Sequence, residues 1–414
     1  MNEPKPKSFE ISKRAVYAAY LRVKENQGAA GVDGQSVEEF EQDLSGNLFK
    51  LWNRMSSGSY FPPPVRAVEI PKSGGGVRVL GVPTVADRIA QTVASMYLER
   101  TVEPIFHPDS YGYRPGRSAL DAVARCRERC WKYDWVVDLD VRKFFDTIDH
   151  ELLLRAVVKH ATEPWVVLYV RRWLVAPLQG PDGSLTARDR GSPQGSAISP
   201  LLANLFLHYV FDTWVTRTFP DVRFERYADD AVVHCVSERQ AQQVRAAIAA
   251  RMVECGLELH PDKTKIVFCK DANRSGSYGQ EKFDFLGYTF RPRLARNKAG
   301  GYFASFSPAI SDAAAKRVRE RMRSWWLHRR SDRSLDYLAQ MINGVVRGWI
   351  GYYGRFRKSA LYPLFRHLNE ILVRWVQGKY KRFRYAPNRA RQLLKEIAQR
   401  DPRLFVHWQF GAWP

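Results

Sequence analysis

Two adjacent aspartates, Asp229 and Asp230, stand inside the run Phe224–Val233 with apolar and β-branched residues on both sides. That pattern reads as strand, tight turn, strand, so both carboxylates would emerge from a core sheet. Neighbouring carboxylates repel, and a cation between them relieves the cost. Solvated turns also produce such pairs, so a third carboxylate decides between metal site and ordinary turn. The segment Trp135–Asp146 offers one, because a hydrophobic strand runs into Asp140. Asp138 shares the strand face of Asp140, and spacing alone does not choose between them. Asp146 and Asp149 read as caps for the turn into a helix near His150.

Other residues around such a site could handle phosphate. Residues 70–83 read as two strands joined by a glycine turn, which would put Lys72 and Arg78 on one hairpin reaching into the same space. A planar guanidinium and a point-charge ammonium suit a triphosphate, although an ordinary surface hairpin has the same pattern. Gly191–Pro200 is a rigid loop ahead of an apolar helix, Leu201–Val215, and offers Gln194 and backbone N–H groups to a base or phosphate. Ser110–Ser118 carries Arg114 and Arg117 among tyrosines and glycines, fit either to hold a nucleic-acid backbone or to brace neighbouring loops.

These groups need elements to place them. Helical spacing covers Ser12 to Asn26, a helix capped by Ser36 and Glu39 follows, and Thr84 with Asp87 reads as a capping box for a helix to Glu103. Val65–Ile70 alternates as a strand, Gly256–Leu259 reads as another, residues 238–255 as a helix, and Phe283–Phe290 as a strand pair. From Ser311 on, helices dominate: Ala313–Arg330, Leu335–Tyr353 and Pro363–Arg382.

Length suggests two or three domains among the 414 residues. The net charge of +22 is uneven: residues 291–414 hold 27 Lys and Arg against 7 Asp and Glu, with six of the twelve tryptophans. A polyanion partner for that third is the economical explanation, a solvated basic surface the plain alternative. Arg347, Arg355, Lys379, Arg382 and Arg384 lie there among Trp349, Tyr352, Trp375, Tyr380 and Tyr385, with Trp349 and Trp375 expected in the core. No apolar run is long enough to cross a membrane, and five scattered cysteines without a CxxC pair fit reduced thiols in a cytosol.

The order of these motifs resembles the group II intron-encoded reverse transcriptases, or maturases, across nearly the whole chain. The resemblance rests on Gly31-Val32-Asp33-Gly34, the Lys72/Arg78 hairpin, Ser110 to Arg117, Asp140 with Phe144-Phe145-Asp146, Pro193-Gln194-Gly195, Tyr227-Ala228-Asp229-Asp230, Lys263-Thr264, Phe285-Leu286-Gly287 and the segment Ile342–Gly354. It implies an α+β right-hand polymerase: an N-terminal helical extension (1–50), fingers (51–135), an antiparallel-sheet palm (136–292) and a helical thumb or maturase domain (300–414). The family pattern selects Asp140 over Asp138, so Asp140, Asp229 and Asp230 would hold two Mg²⁺ ions, with Mn²⁺ as a substitute. Lys72 and Arg78 would clamp the triphosphate, Phe145 would exclude a ribose 2′-OH, Gln194 would contact the incoming nucleotide and Lys263 would protonate pyrophosphate. Arg114, Arg117, Gly287, Arg347, Tyr352 and Arg355 would touch nucleic acid.

Expected partners are intron RNA, a template–primer duplex, dNTPs and target DNA, in the bacterial cytoplasm or at the nucleoid and with no membrane. The cysteine-paired nuclease region of many family members has no counterpart before Pro414, which resembles the endonuclease-lacking bacterial class. Two other purposes share these motifs: a splicing-only maturase, and a polymerase turned to defence or DNA repair. An intact set of three carboxylates speaks against the first, since an idle cluster would only destabilise the palm.

Overall fold

The computed structural model describes residues 7–71, 76–297 and 299–414. The chain divides into two compact units: Met1–Ala122 with Val137–Val233 and Glu238–Thr264, and Val123–Val136 with His234–Ser237 and Lys265–Pro414. Among the described residues eleven strands are formed. Those up to the second aspartate run are β1 (Val65–Pro71), β2 (Val77–Val82), β3 (Trp135–Leu139), β4 (Leu178–Gln179), β5 (Leu185–Thr186), β6 (Arg223–Tyr227) and β7 (Asp230–Cys235). The remainder are β8 (Lys265–Phe268), β9 (Phe283–Phe285), β10 (Tyr288–Arg296) and β11 (Tyr302–Ile310).

The first unit grows around the helix Val85–Val102. Thr84 caps it by accepting from the Asp87 amide at 3.2 Å. The Asp87 carboxylate does not close the expected capping box. It is buried, and accepts from Tyr60 Oη (2.6 Å), Trp173 Nε1 (2.7 Å) and Gln91 Nε2 (3.0 Å). Burial pushes its pKa up to about 6, with those three donors pulling the other way. The helix Lys13–Asn26 packs on Val85–Val102 through Val16, Ala19, Tyr20 and Val23, as the 3.6-residue spacing predicts. Ser36 and Glu39 form their capping box in full.

Two sheets carry the site. One has the order β2-β1-β4-β5, with Ile70 opposite Arg78 in the antiparallel β1–β2 pair. The other sets β6, β7 and β3 side by side in that order. Gly256–Leu259 is not the strand its composition suggested; it contributes a single bridge, Leu259 to Val141, because the helix Glu238–Glu254 ends in a turn at Gly256 (φ 74°) just before it.

In the second unit β8 lies beside the first residues of β3, and Phe268 meets Trp135 with ring centroids 5.1 Å apart. A separate sheet, β11-β10-β9, contains a hairpin of two 9-residue strands. Its second strand was not anticipated, since Tyr302–Ile310 alternates weakly and contains Pro308. Four long helices follow, Asp312–Ser324, Leu335–Tyr353, Tyr362–Lys379 and Pro387–Arg400, the last also unanticipated, and then a short one, Val406–Gln409. They enclose a core of Leu338, Ile342, Val346, Leu368, Trp375 and Trp408. All five cysteines are buried and none is in a disulfide. Among the described residues no helix is long and apolar enough to cross a membrane.

Candidate active site

The Asp229–Asp230 turn is held from beneath by buried polar contacts. Arg226 sits on β6 with 1 % of its surface exposed, and grips Asp212 through Nε and Nη2, both at 2.7 Å. Its Nη1 donates to Asn204 Oδ1 and to Ala228 O, both at 2.9 Å. Asn204 in turn donates to Gly112 O at 2.6 Å. Ala228 is left-handed (φ 56°), a conformation that costs an L residue about 1–2 kcal/mol and that the Arg226 bond to its carbonyl maintains. Gly112 is required there, because a Cβ on it would stand 2.4 Å from the Ala228 nitrogen. None of Arg226, Asp212, Asn204 and Gly112 was singled out from sequence as part of this support. The available signal was an arginine and an aspartate each set inside an apolar run, since charges in such places need one another.

Asp140 follows β3 and is tied to the segment 258–264. His260 N donates to Asp140 O at 2.7 Å, and Arg142 N to Glu258 O at 2.8 Å. Lys263 Nζ lies 2.8 Å from Asp140 Oδ2. The charge of Asp140 acts on both turn aspartates. Asp230 is pushed up to about 7, first by burial and then by the carboxylates of Asp229 and Asp140, with Lys263 opposing. Asp229 is raised as well, by burial and by Asp140, against its own amide, Arg78 and Arg226. Among the described residues the three carboxylates do not bring one oxygen each within 4.8 Å of one another. Like charges spread, and Lys263 supplies the counter-charge. The donor set fits a divalent cation by its chemistry: three hard carboxylate ligands, two of them with pKa raised first by burial and then by neighbouring negative charge.

Facing residues come from β2 and the 191–195 loop. Gly81 N donates to Gln194 O at 2.7 Å, and Gly195 (φ 113°) passes so close to Gly81 that a Cβ would stand 2.7 Å from its carbonyl. Ser192 N donates to Phe145 O at 2.7 Å. Phe145, half-buried, stands edge-on to buried Phe144 with centroids 5.2 Å apart, and lines a cavity of about 200 Å³ with Val79, Gly81, Arg188 and Pro193. Arg78 is exposed, and its charge reaches Asp229. Lys72 lies outside the described residues.

Expectations for nucleic-acid contacts divide. Arg114 is a brace: its side chain, 5 % exposed, is spent on Glu103 (2.7 Å) and on the carbonyls of His107 and Ser110 (2.7 Å each). A guanidinium so enclosed, with four of its five N–H groups already bonded, is not presented to a phosphate, so that expectation is corrected. Arg117 is exposed. In the second unit Gly287 (φ 80°) makes the β9–β10 turn against Tyr353, and Tyr352 Oη donates to Leu286 O at 2.8 Å, so both serve the turn. Arg347 and Arg355 are exposed on or just beyond Leu335–Tyr353. On that helix a Cβ at Gly344, Gly348 or Gly351 would meet nothing within 4 Å.

The family described as reverse transcriptase (RNA-dependent DNA polymerase) matches residues 70–290, and the group II intron, maturase-specific domain matches residues 315–394. The chain is 32 % identical to Protein YkfC of Escherichia coli (strain K12), covering 65 % of this chain and 76 % of that one. It is 30 % identical to the group II intron-encoded protein LtrA of Lactococcus lactis subsp. cremoris, over 46 % of this chain but only 32 % of LtrA. Among solved structures it is similar to telomerase from Candida albicans, with TM-score 0.44 at 12 % identity, over 91 % of this chain and 67 % of that one; the fold assignment rests on the family match instead.

Proposed function

Because the chain belongs to the reverse transcriptase family and carries a group II intron maturase-specific domain, we propose that it polymerises DNA on an RNA template and binds intron RNA to promote splicing and mobility. One observation carries the polymerase assignment: Asp140, far in sequence from the adjacent pair Asp229 and Asp230, lies close enough to both that its charge adds to burial in raising them.

In this proposal Asp140, Asp229 and Asp230 are the metal ligands, with Mg²⁺ the expected ion. Two such ions, when bound, would lower the pKa of the primer 3′-hydroxyl and neutralise the departing pyrophosphate. The residues of the chain do the rest. Arg78 offers a bidentate fork to the triphosphate, as Lys72 would offer a point charge. The 191–195 loop, fastened to β2 and to Phe145 O, presents Gln194 to the nucleotide. Phe145 occupies the space a ribose 2′-OH would need. Lys263 pairs with Asp140 at 2.8 Å, and its ammonium is the proposed proton source for the leaving pyrophosphate. The exposed glycines 344, 348 and 351 beside Arg347 would let a nucleic-acid backbone approach Leu335–Tyr353 closely, with arginines answering phosphates.

Primer extension on an RNA template with Mg²⁺, run beside Asp229→Ala, tests the assignment. Incorporation should fall by at least about 10³-fold in the variant while RNA binding stays largely intact. Extension retained by Asp229→Ala would remove these aspartates from the mechanism.

A further inference from the structure

Two short segments of the second unit, residues 326–337 and 379–385, lie against each other and have no part in the proposal above. Trp375 Nε1 donates to Arg330 O at 2.8 Å, and Lys379 Nζ donates to Ser331 O and Arg333 O, both at 2.9 Å. The pair of segments holds seven Lys and Arg against two Asp, one of which, Asp332, is matched by Arg333 at 3.0 Å. Phe383 is buried, but four other aromatics of these segments are turned outward: Trp326 is 51 % exposed, Tyr337 and Tyr380 39 %, Tyr385 89 %.

Two adjacent indoles are treated in opposite ways here. Trp325 is buried and stacks on Trp349 with centroids 5.5 Å apart. Trp326 takes a left-handed backbone (φ 51°) that ends the preceding helical stretch and turns its ring out to solvent. For a bulky L residue that conformation costs about 1–3 kcal/mol, and an indole left half-exposed recovers little of it by burial. Guanidinium groups lie over three of the outward rings: Arg329 over Trp326 (4.5 Å), Arg333 over Tyr337 (5.0 Å) and Arg384 over Tyr385 (5.7 Å). Each of these exposed rings thus already has a cation beside it.

Flat rings beside planar cations match unpaired nucleotides. Bases stack on the rings, phosphates meet the cations, and a duplex could use only the cations because its base faces are covered. We propose that this surface binds a single-stranded stretch of RNA, with Trp326, Tyr337 and Tyr385 as the stacking platforms. The proposal rests on the RNA-binding role assigned above and adds to it a site built from second-unit residues alone.

The test uses the full-length protein, first saturated with an unlabelled template–primer duplex and then titrated with a short fluorescein-labelled oligouridylate. The wild type should bind it, with a fully paired RNA competing poorly. Trp326→Ala and Tyr385→Ala should each weaken binding about tenfold, and Tyr385→Phe, which keeps the ring, should bind like wild type. Extension of the annealed primer should be unchanged in all three. Tyr385 is so exposed that its variants test the surface even if Trp326→Ala fails to fold. Equal affinities across wild type, Tyr385→Ala and Tyr385→Phe, or no oligouridylate binding once the duplex is bound, would overturn the site. Oligothymidylate bound more tightly than oligouridylate would overturn its assignment to RNA. A wild type that extends no primer yet binds oligouridylate through these rings would defeat the polymerase proposal and leave this one standing.

Discussion

The aspartate turn of the first unit and the basic surface of the second use charge in opposite ways. Beneath the turn, Arg226 and Asp212 are 1 % and 0 % exposed, paired through two bonds, and surrounded by further hydrogen bonds to Asn204 and Ala228. On the basic surface the ion pairs are open to solvent, as with Arg333–Asp332 and Arg391–Glu370, and arginines lie over exposed rings. Phosphoryl transfer needs carboxylates fixed to fractions of an ångström, which only a buried and fully satisfied network supplies. Gripping RNA needs charge density and flat surfaces, and tolerates motion. Burial of charge thus marks where geometry matters, and exposure of charge marks where only its sign and density do.

If that contrast is right, single substitutions should differ greatly in cost between the two regions. Asp212→Ala leaves Arg226 buried without its counter-ion and should lose about 3–5 kcal/mol of stability, read by urea unfolding, together with primer extension. The double variant Asp212→Leu/Arg226→Leu should recover much of the stability and none of the activity, because Ala228 and Asn204 lose their donor. Unaltered stability in Asp212→Ala would break the comparison at its firmest point.

Asp87 extends the same logic to pH. Its folded pKa, about 6, lies above the unfolded value near 3.8, so its contribution to stability is fully present below the unfolded value and lost as pH rises through about 6. That contribution spans about 3 kcal/mol at most, and Asp87→Asn should flatten the unfolding free energy between those two limits relative to wild type. Identical pH profiles for the two proteins would show that its burial is not felt. Phe145→Ala should raise ribonucleotide incorporation relative to dNTPs by about tenfold, or about 1.4 kcal/mol in discrimination, and unchanged sugar selectivity would remove Phe145 from the nucleotide site.

The smallest stability effect is expected on the basic helix. Arg347→Gln with Arg355→Gln should change stability by less than about 0.5 kcal/mol, while lowering the slope of log affinity for RNA against log salt by about one for each lost phosphate contact. A large loss of stability there would show that exposed charge also carries structure.

Local chemistry was legible where it depends on neighbours in the chain. The Ser36/Glu39 capping box, the helix Leu335–Tyr353 and the hairpin bearing Asp229 and Asp230 all follow from spacing and flanking residues. Thr84 with Asp87 looked like a second capping box, yet Tyr60 and Trp173 claim the carboxylate because tertiary packing brings stronger donors than the local amide. Arg114 and Arg117 read alike from sequence, fit to hold a nucleic-acid backbone or to brace loops, and it is Glu103 that takes the Arg114 guanidinium. The same arginine-rich, aromatic-rich composition covers both Trp325 and Trp326, and only a left-handed residue separates core from surface.

By itself the amino-acid sequence determined the candidate carboxylates, the order of motifs, and the concentration of positive charge in the last third of the chain. These are properties of residue type and short-range spacing, which folding does not change. Only the tertiary structure decided that Asp212, Asn204 and Gly112 support the aspartate turn, that Lys263 balances Asp140, and which aromatics face solvent. Each of those depends on side chains separated by many residues meeting in a low-dielectric interior or failing to, and no local pattern encodes which will do so.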